Sequence, residues 1–186
     1  VAGAICGNKK FINDLSNVND GTAMLLGPVL DPLRSSSILK NLHTLHIRMK
    51  QHGQNALFAA TELKKTGLRV RYPGLPDHPQ YDLLNRIMNK DFGYGGMLAV
   101  ELPSVQLANE FMRQLQMEGV GYLAVSLGYF KTLFSNSGKS TSSEVPEDIQ
   151  RKMGLTEGLV RFSIGLDNNM QRSVERMKEC QLNTKF

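Results

Sequence analysis

Helices laid against one face of a sheet, an α/β or α+β domain, is the fold class this sequence predicts. Three observations lead there. From Ser35 to Gly67 the residues Leu39, Leu42, Leu45, Met49, Ala56, Ala59 and Leu63 recur at helical spacings, the mark of a long amphipathic helix. Apolar runs with strand character follow at 68–72, 97–102, 121–126 and 159–164. Helix-like segments separate most of those runs, and such alternation stacks helices on a sheet.

In chain order, residues 2–6 (AGAIC) read as a buried strand and Gly7-Asn8 as a turn. Lys10 to Asn17 form a short helix with Phe11, Ile12 and Leu15 on one side, and Leu25, Leu26, Gly27 and Pro28 mark a bend. The long helix runs as one piece of about eight turns and stops at Gly67, which serves as its C-cap. Leu68, Val70 and Tyr72 then alternate with Arg69 and Arg71, the period-two pattern of a half-buried strand. Pro73, Gly74, Pro76 and Pro79 enforce an irregular loop. Tyr81 to Asn89 make a short helix, and Gly93, Gly95 and Gly96 turn the chain into the strand 97–102. Ser104 is the N-cap of a helix reaching Met117. Strand 121–126 is followed by a long polar loop from Phe134 to Pro146, a helical turn at 147–153, strand 159–164 and a closing helix, Asn168 to Cys180.

The 186 residues make one domain, or one domain and part of another, and a chain of this length buries roughly 70% of its unfolded surface. With 41% hydrophobic and 21% charged residues the composition is that of an ordinary globular protein. Lys and Arg number 22 against 17 Asp and Glu, but the basic residues are scattered. That argues against a nucleic-acid partner, which calls for a basic face with interleaved aromatics. No run approaches the roughly 18–20 apolar residues that cross a bilayer. Cys6 and Cys180, at opposite ends, read as unpaired thiols of a reducing compartment, so a soluble cytoplasmic protein is expected. Val1 lies in the apolar run VAGAIC with no initiator Met, and the chain is expected to start inside a longer polypeptide.

Several motifs fall short of a site. Gly138-Lys139-Ser140-Thr141 imitates the end of a phosphate-binding loop, but the position five residues before Gly138 is Leu133 and not Gly. Gly93-Tyr94-Gly95-Gly96 fails as a dinucleotide fingerprint, with Leu98 where the last Gly belongs. His43 and His46 lie three apart without a carboxylate or Cys at ligand spacing, so no metal is expected. Two features remain. Arg161 sits inside the apolar strand Leu159-Val160-Arg161-Phe162-Ser163-Ile164, on the side opposite Val160 and Phe162. A guanidinium there is costly unless it meets an anion or reaches solvent; a carboxylate ligand, an internal ion pair and an open sheet face all satisfy it. Val125-Ser126-Leu127-Gly128 is a strand running into Gly, where backbone can approach a ligand.

Six collinear segments add a resemblance along the whole chain: VAGAICG, LHTLHIRMKQHGQNA, VRYPGLPDHPQY, GYGGMLAVEL, AVSLGYFKTL and EGLVRFSIGL. Together they resemble the Cys/Met-metabolism family of pyridoxal-phosphate enzymes, which includes cystathionine β- and γ-lyases, cystathionine γ-synthase and methionine γ-lyase. SLGYFKTLFSNSGKSTSSE and KDFGYGGM are most similar to the plant-type methionine γ-lyase branch.

The resemblance implies a C-terminal domain of the fold-type-I, aspartate-aminotransferase-like fold. Its sheet is mixed or antiparallel, with helices on one face and a long linking helix before it. Residues 1–33 would belong to the large cofactor domain, and residues 34–186 would be the linking helix and substrate-binding domain. Arg161 falls on the family's grip for the substrate α-carboxylate; Ser126, with Leu127, falls on the S-L-G motif lining the pocket, and Thr141 on the following loop. The implied cofactor is pyridoxal 5'-phosphate, and the implied substrate a small amino acid in a homo-oligomer, a dimer of dimers. Methionine would be split to methanethiol, 2-oxobutanoate and ammonia. The Schiff-base lysine and the other cofactor-binding residues fall upstream of Val1 in the family pattern, so none is expected here. His43 replaces the usual Lys before Thr-Leu, and Lys131 the usual Glu. Trans-sulfuration chemistry on a related amino acid is the alternative within the family, and a non-catalytic interaction module the alternative outside it.

Overall fold

The computed structural model describes residues 3–137 and 144–184. The chain divides into two compact units, Val1–His46 and Ile47–Phe186; the boundary read from the sequence, at residue 33, lies within the first.

The first unit holds three helices. Helix α1 (Lys9–Leu15) starts at Asn8, whose side chain accepts a hydrogen bond from Phe11 N at 2.8 Å. Helix α2 (Thr22–Leu26) stops at Gly27, whose φ of 60° is the left-handed conformation that suits a residue without Cβ. Helix α3 (Pro32–Leu42) opens with Asp31 as N-cap and Pro32 in its first turn, where a missing N–H costs nothing. The strand expected at 2–6 is absent among the described residues: positions 3–8 are exposed and pair with no strand, and a lone strand leaves its backbone groups without partners.

The single long helix is also corrected. Helix α3 ends at Leu42 and helix α4 (Leu45–Lys64) begins after a break at His43-Thr44. The apolar stripe behind the expectation is not buried there, since Leu39, Leu42 and Leu45 are all exposed. Without packing to hold it, the helix yields near β-branched Thr44. Burial sets in at His52 and continues through Ala56, Ala59, Ala60 and Leu63.

The second unit carries a five-stranded sheet in the order β1-β2-β5-β4-β3: β1 (Arg69–Arg71), β2 (Met97–Glu101), β3 (Gly121–Leu123), β4 (Thr132–Asn136) and β5 (Leu159–Ser163). All neighbours are antiparallel except β3 and β4, so the sheet is mixed. Helices α5 (Tyr81–Ile87), α6 (Val105–Met117), α7 (Glu147–Lys152) and α8 (Met170–Asn183) complete the unit. Ser104 caps α6 as expected, accepting from Leu107 N at 3.3 Å. The core lies on one face of the sheet. There Val100, Phe134, Val160, Phe162 and Ile164 meet Ala56, Ala59 and Leu63 of α4, Phe111 and Leu115 of α6, and Val174 and Met177 of α8.

The last three residues of strand β4, from Phe134, were read from the sequence as the start of a polar loop. All five of its residues are buried, and Asn136 Nδ2 donates to the Glu157 carbonyl at 2.6 Å. An interior strand covered on both sides does not have to alternate apolar with polar, so Ser135 and Asn136 disguised it. Strand β3 is shorter than expected and stops at Leu123; Ala124 N still donates to the Phe134 carbonyl at 3.0 Å, and beyond it the Val125 and Ser126 carbonyls accept from Arg161.

Candidate functional site

Register on β5 sends Val160 and Phe162 into the core and turns Leu159, Arg161 and Ser163 to the other face. Leu159, and Leu133 from β4, are buried yet stand outside the main core, so this second face is closed around Arg161 without being packed by α4, α6 and α8. The Arg161 side chain is half-buried. Its Nη2 donates to the carbonyls of Val125 (2.7 Å) and Ser126 (3.1 Å), while Nε is buried without a hydrogen-bond partner. A guanidinium has five N–H donors in a fixed fork and loses little water affinity only if each finds an acceptor. This one is incompletely satisfied.

The segment after β3 lies beside it. Gly128 N donates to Ser163 Oγ at 2.9 Å, Leu166 N donates to the Phe130 carbonyl at 2.8 Å, and Gly165 N donates to Thr132 Oγ1 at 3.0 Å. Gly128 takes a φ of 69°, a turn that a Cβ would strain. These bonds fix a loop whose Val125, Leu127, Tyr129 and Phe130 side chains are exposed. From the other side α4 holds the exit of β5: His52 Nδ1 donates to the Ile164 carbonyl (2.6 Å) and Asn55 Nδ2 to the Gly165 carbonyl (2.9 Å). Motif residues far apart in sequence thus converge on the segment that carries Arg161.

Of the four residues singled out from sequence, Arg161, Ser126 and Leu127 come together here. Thr141 lies outside the described residues, as does the Gly138–Thr141 loop. Sequence reading set Ser163 on the Arg161 side without giving it a role and passed over Ser135; the two stand on β5 and β4 on that face. Their signal was the alternation of β5 for the first; for the second there was none while that part of β4 was taken as a loop. Lys131 is exposed. Its charge falls near Asp167, whose carboxyl sits below the ordinary value: burial pushes it up, and bonds from Ser173 and Asn169 with the charges of Lys131 and Arg172 outweigh that. Among the described residues no group of three His, Cys, Asp or Glu could hold a metal. No helix among them is long and apolar enough to cross a membrane.

A cofactor bound through a lysine needs an amine held in a pocket that excludes water. Every described lysine is exposed except Lys178, which is ion-paired with Glu62 at 2.7 Å. None of the described lysines is therefore placed to carry such a cofactor. What the described residues offer is a cation and backbone at the edge where a carboxylate could be gripped.

A mixed sheet backed on one face by helices, with such a cation on the other, agrees with the fold that the resemblance implies, the C-terminal domain of a fold-type-I pyridoxal-phosphate enzyme. A crystal structure described as an O-acetylhomoserine (thiol)-lyase of Campylobacter jejuni, carrying N'-pyridoxyl-lysine-5'-monophosphate, superposes with a TM-score of 0.77. It is 29% identical and the match covers 84% of this chain and 37% of that one. Residues 1–171 match the family described as Cys/Met metabolism PLP-dependent enzyme, and the chain belongs to that family. It is 36% identical to a methionine γ-lyase of Arabidopsis thaliana over 98% of this chain and 42% of the relative. It is 32% identical to a cystathionine β-lyase of Coxiella burnetii, over 85% and 44%. A cystathionine γ-lyase of Dictyostelium discoideum is 34% identical over 77% and 36%. The chain thus spans less than half the length of the curated relatives it matches.

Proposed function

We propose that this chain is the substrate-binding part of a pyridoxal-phosphate-dependent carbon–sulfur lyase that converts L-methionine and water to methanethiol, 2-oxobutanoate and ammonia. The observation that carries the proposal is Arg161, an incompletely satisfied guanidinium on a closed sheet face. The likeness to the Arabidopsis methionine γ-lyase supplies the substrate.

In this reading Arg161 grips the α-carboxylate, Ser126 and Leu127 line the pocket beside it, and Thr141 is a further substrate-binding residue. A planar fork fixes the amino acid in position and orientation, so that its α-proton is presented in one direction. The cofactor, held by residues outside the described set, supplies an electron sink for carbanions. The protein works as a homo-oligomer, a dimer of dimers, in the cytoplasm. Trans-sulfuration on cystathionine or a related amino acid is the second reading, favoured by the likeness to cystathionine β- and γ-lyases.

Full-length protein reconstituted with pyridoxal phosphate should release methanethiol from L-methionine, measured by thiol trapping. Thiol released from L-cystathionine and none from L-methionine would move the assignment to the second reading. Failure to eliminate from either substrate, with cofactor bound, would overturn both.

A further inference from the structure

Two buried polar atoms lack partners on the Arg161 face, and they belong to residues directly opposite each other. Ser135 of β4 pairs with Arg161 of β5 in the antiparallel register. Cβ atoms of such a pair are about 5 Å apart. Ser135 is 3% exposed, and its Oγ makes no hydrogen bond; nor does Arg161 Nε. A buried hydroxyl and a buried guanidinium N–H left unsatisfied are each destabilising, and native proteins keep few of them.

The rest of the guanidinium explains why these two go together. Nη2 donates to both the Val125 and the Ser126 carbonyls, which anchors the outer part of the fork. Nε is the nitrogen nearest the strand, on the side chain whose register partner is Ser135. Nε can only donate, and a hydroxyl can donate too. One anionic oxygen accepting from both would satisfy both at once, which neither neighbour in the protein does.

We infer that Ser135 is a further binding residue for the α-carboxylate, its hydroxyl and Arg161 Nε donating to the same carboxylate oxygen. This rests on the reading of Arg161 given above and extends it by one residue, on a strand that the sequence disguised.

The test uses the full-length holoenzyme and two unreactive competitors of L-methionine turnover: L-norleucine, which carries the carboxylate, and n-pentylamine, which lacks it. Ser135→Ala should raise the Ki of L-norleucine about tenfold or more, the scale of one hydrogen bond to a charged group. The Ki of n-pentylamine should not move. Because the hydroxyl has no partner in the protein, the melting temperature of Ser135→Ala should be no lower than that of the wild type. An unchanged Ki for L-norleucine, a parallel rise for both competitors, or a lowered melting temperature would each overturn the inference. Arg161→Leu is the control for the reading beneath it. If that variant also binds both competitors as the wild type does, the carboxylate grip itself is wrong; if it discriminates and Ser135→Ala does not, only Ser135 is.

Discussion

On one face of β5, Val160, Phe162 and Ile164 are fully buried against three helices; on the other, Arg161 stands between Leu159 and Ser163 with part of its guanidinium unsatisfied. The two faces share one backbone and one register, so the difference lies in side chains alone. The first face is saturated: Phe162 contacts the rings of Phe111 and Phe134 at 6.3 and 5.8 Å between centroids. The second retains polar groups that cost stability while nothing binds them. A domain that kept such groups only for its own folding would do better with apolar ones, which favours the proposed use of the second face in binding.

Substitutions should separate the two faces. The largest effect on stability belongs to Phe162→Ala, which opens a cavity in a close-packed layer and should cost about 3–5 kcal/mol in denaturant unfolding. A loss below 1 kcal/mol would mean that the helix-backed face is not the core. Next comes Gly165→Ala, just beyond β5. A Cβ there would come within 2.5 Å of the Phe130 carbonyl oxygen and 2.6 Å of Thr132 N, both backbone atoms that cannot swing away. About 1–3 kcal/mol should be lost as the loop is pushed off, again read by denaturant unfolding. Smaller still is Ser163→Ala on the Arg161 face, which leaves Gly128 N without its acceptor. About 1 kcal/mol of stability should go, with a raised KM for the amino acid and little change in kcat. A change in kcat alone would speak against Ser163 holding the loop.

The smallest effect lies away from both faces. Hydrogen bonds from Lys178 and Lys65 hold the Glu62 carboxyl at about 2, below its ordinary 4.5. A carboxyl lowered by folding adds stability that is complete above its unfolded value and is lost as pH falls through the folded one. The melting temperature should therefore decline between pH 4.5 and about 2, and Glu62→Gln should flatten part of that decline. An identical decline in the variant would remove Glu62 from the account.

How much of this was legible in advance depended on whether a segment's environment is written in its residues. β5 was legible because its apolar alternation is strict and its one cation interrupts it. α6 was legible from Ser104 and its apolar spacing, and the paired motifs around His52, Asn55 and Gly165 carried the family. β4 was not, because an interior strand does not need alternation and Ser135 and Asn136 look like loop residues. Residues 2–6 misled in the other direction: an apolar run reads as a strand only if a partner strand exists beside it. Leu39, Leu42 and Leu45 have the spacing of a buried helix face and are exposed, so periodicity alone did not reveal the break at His43-Thr44. Ser135 as a ligand-facing residue could be seen only once register placed it opposite Arg161.

The grip of Arg161 on a carboxylate is the claim on which the rest depends, and steady-state kinetics of Arg161→Leu in the full-length protein tests it most directly. Removing one partner of a charged pair in a closed site should lower kcat/KM for L-methionine by about a hundredfold, near 3 kcal/mol, mostly through KM. The melting temperature should fall only slightly, because the Val125 and Ser126 carbonyls that lose their donor belong to exposed residues open to water. Kinetics within about twofold of the wild type, well under 1 kcal/mol, would contradict the account.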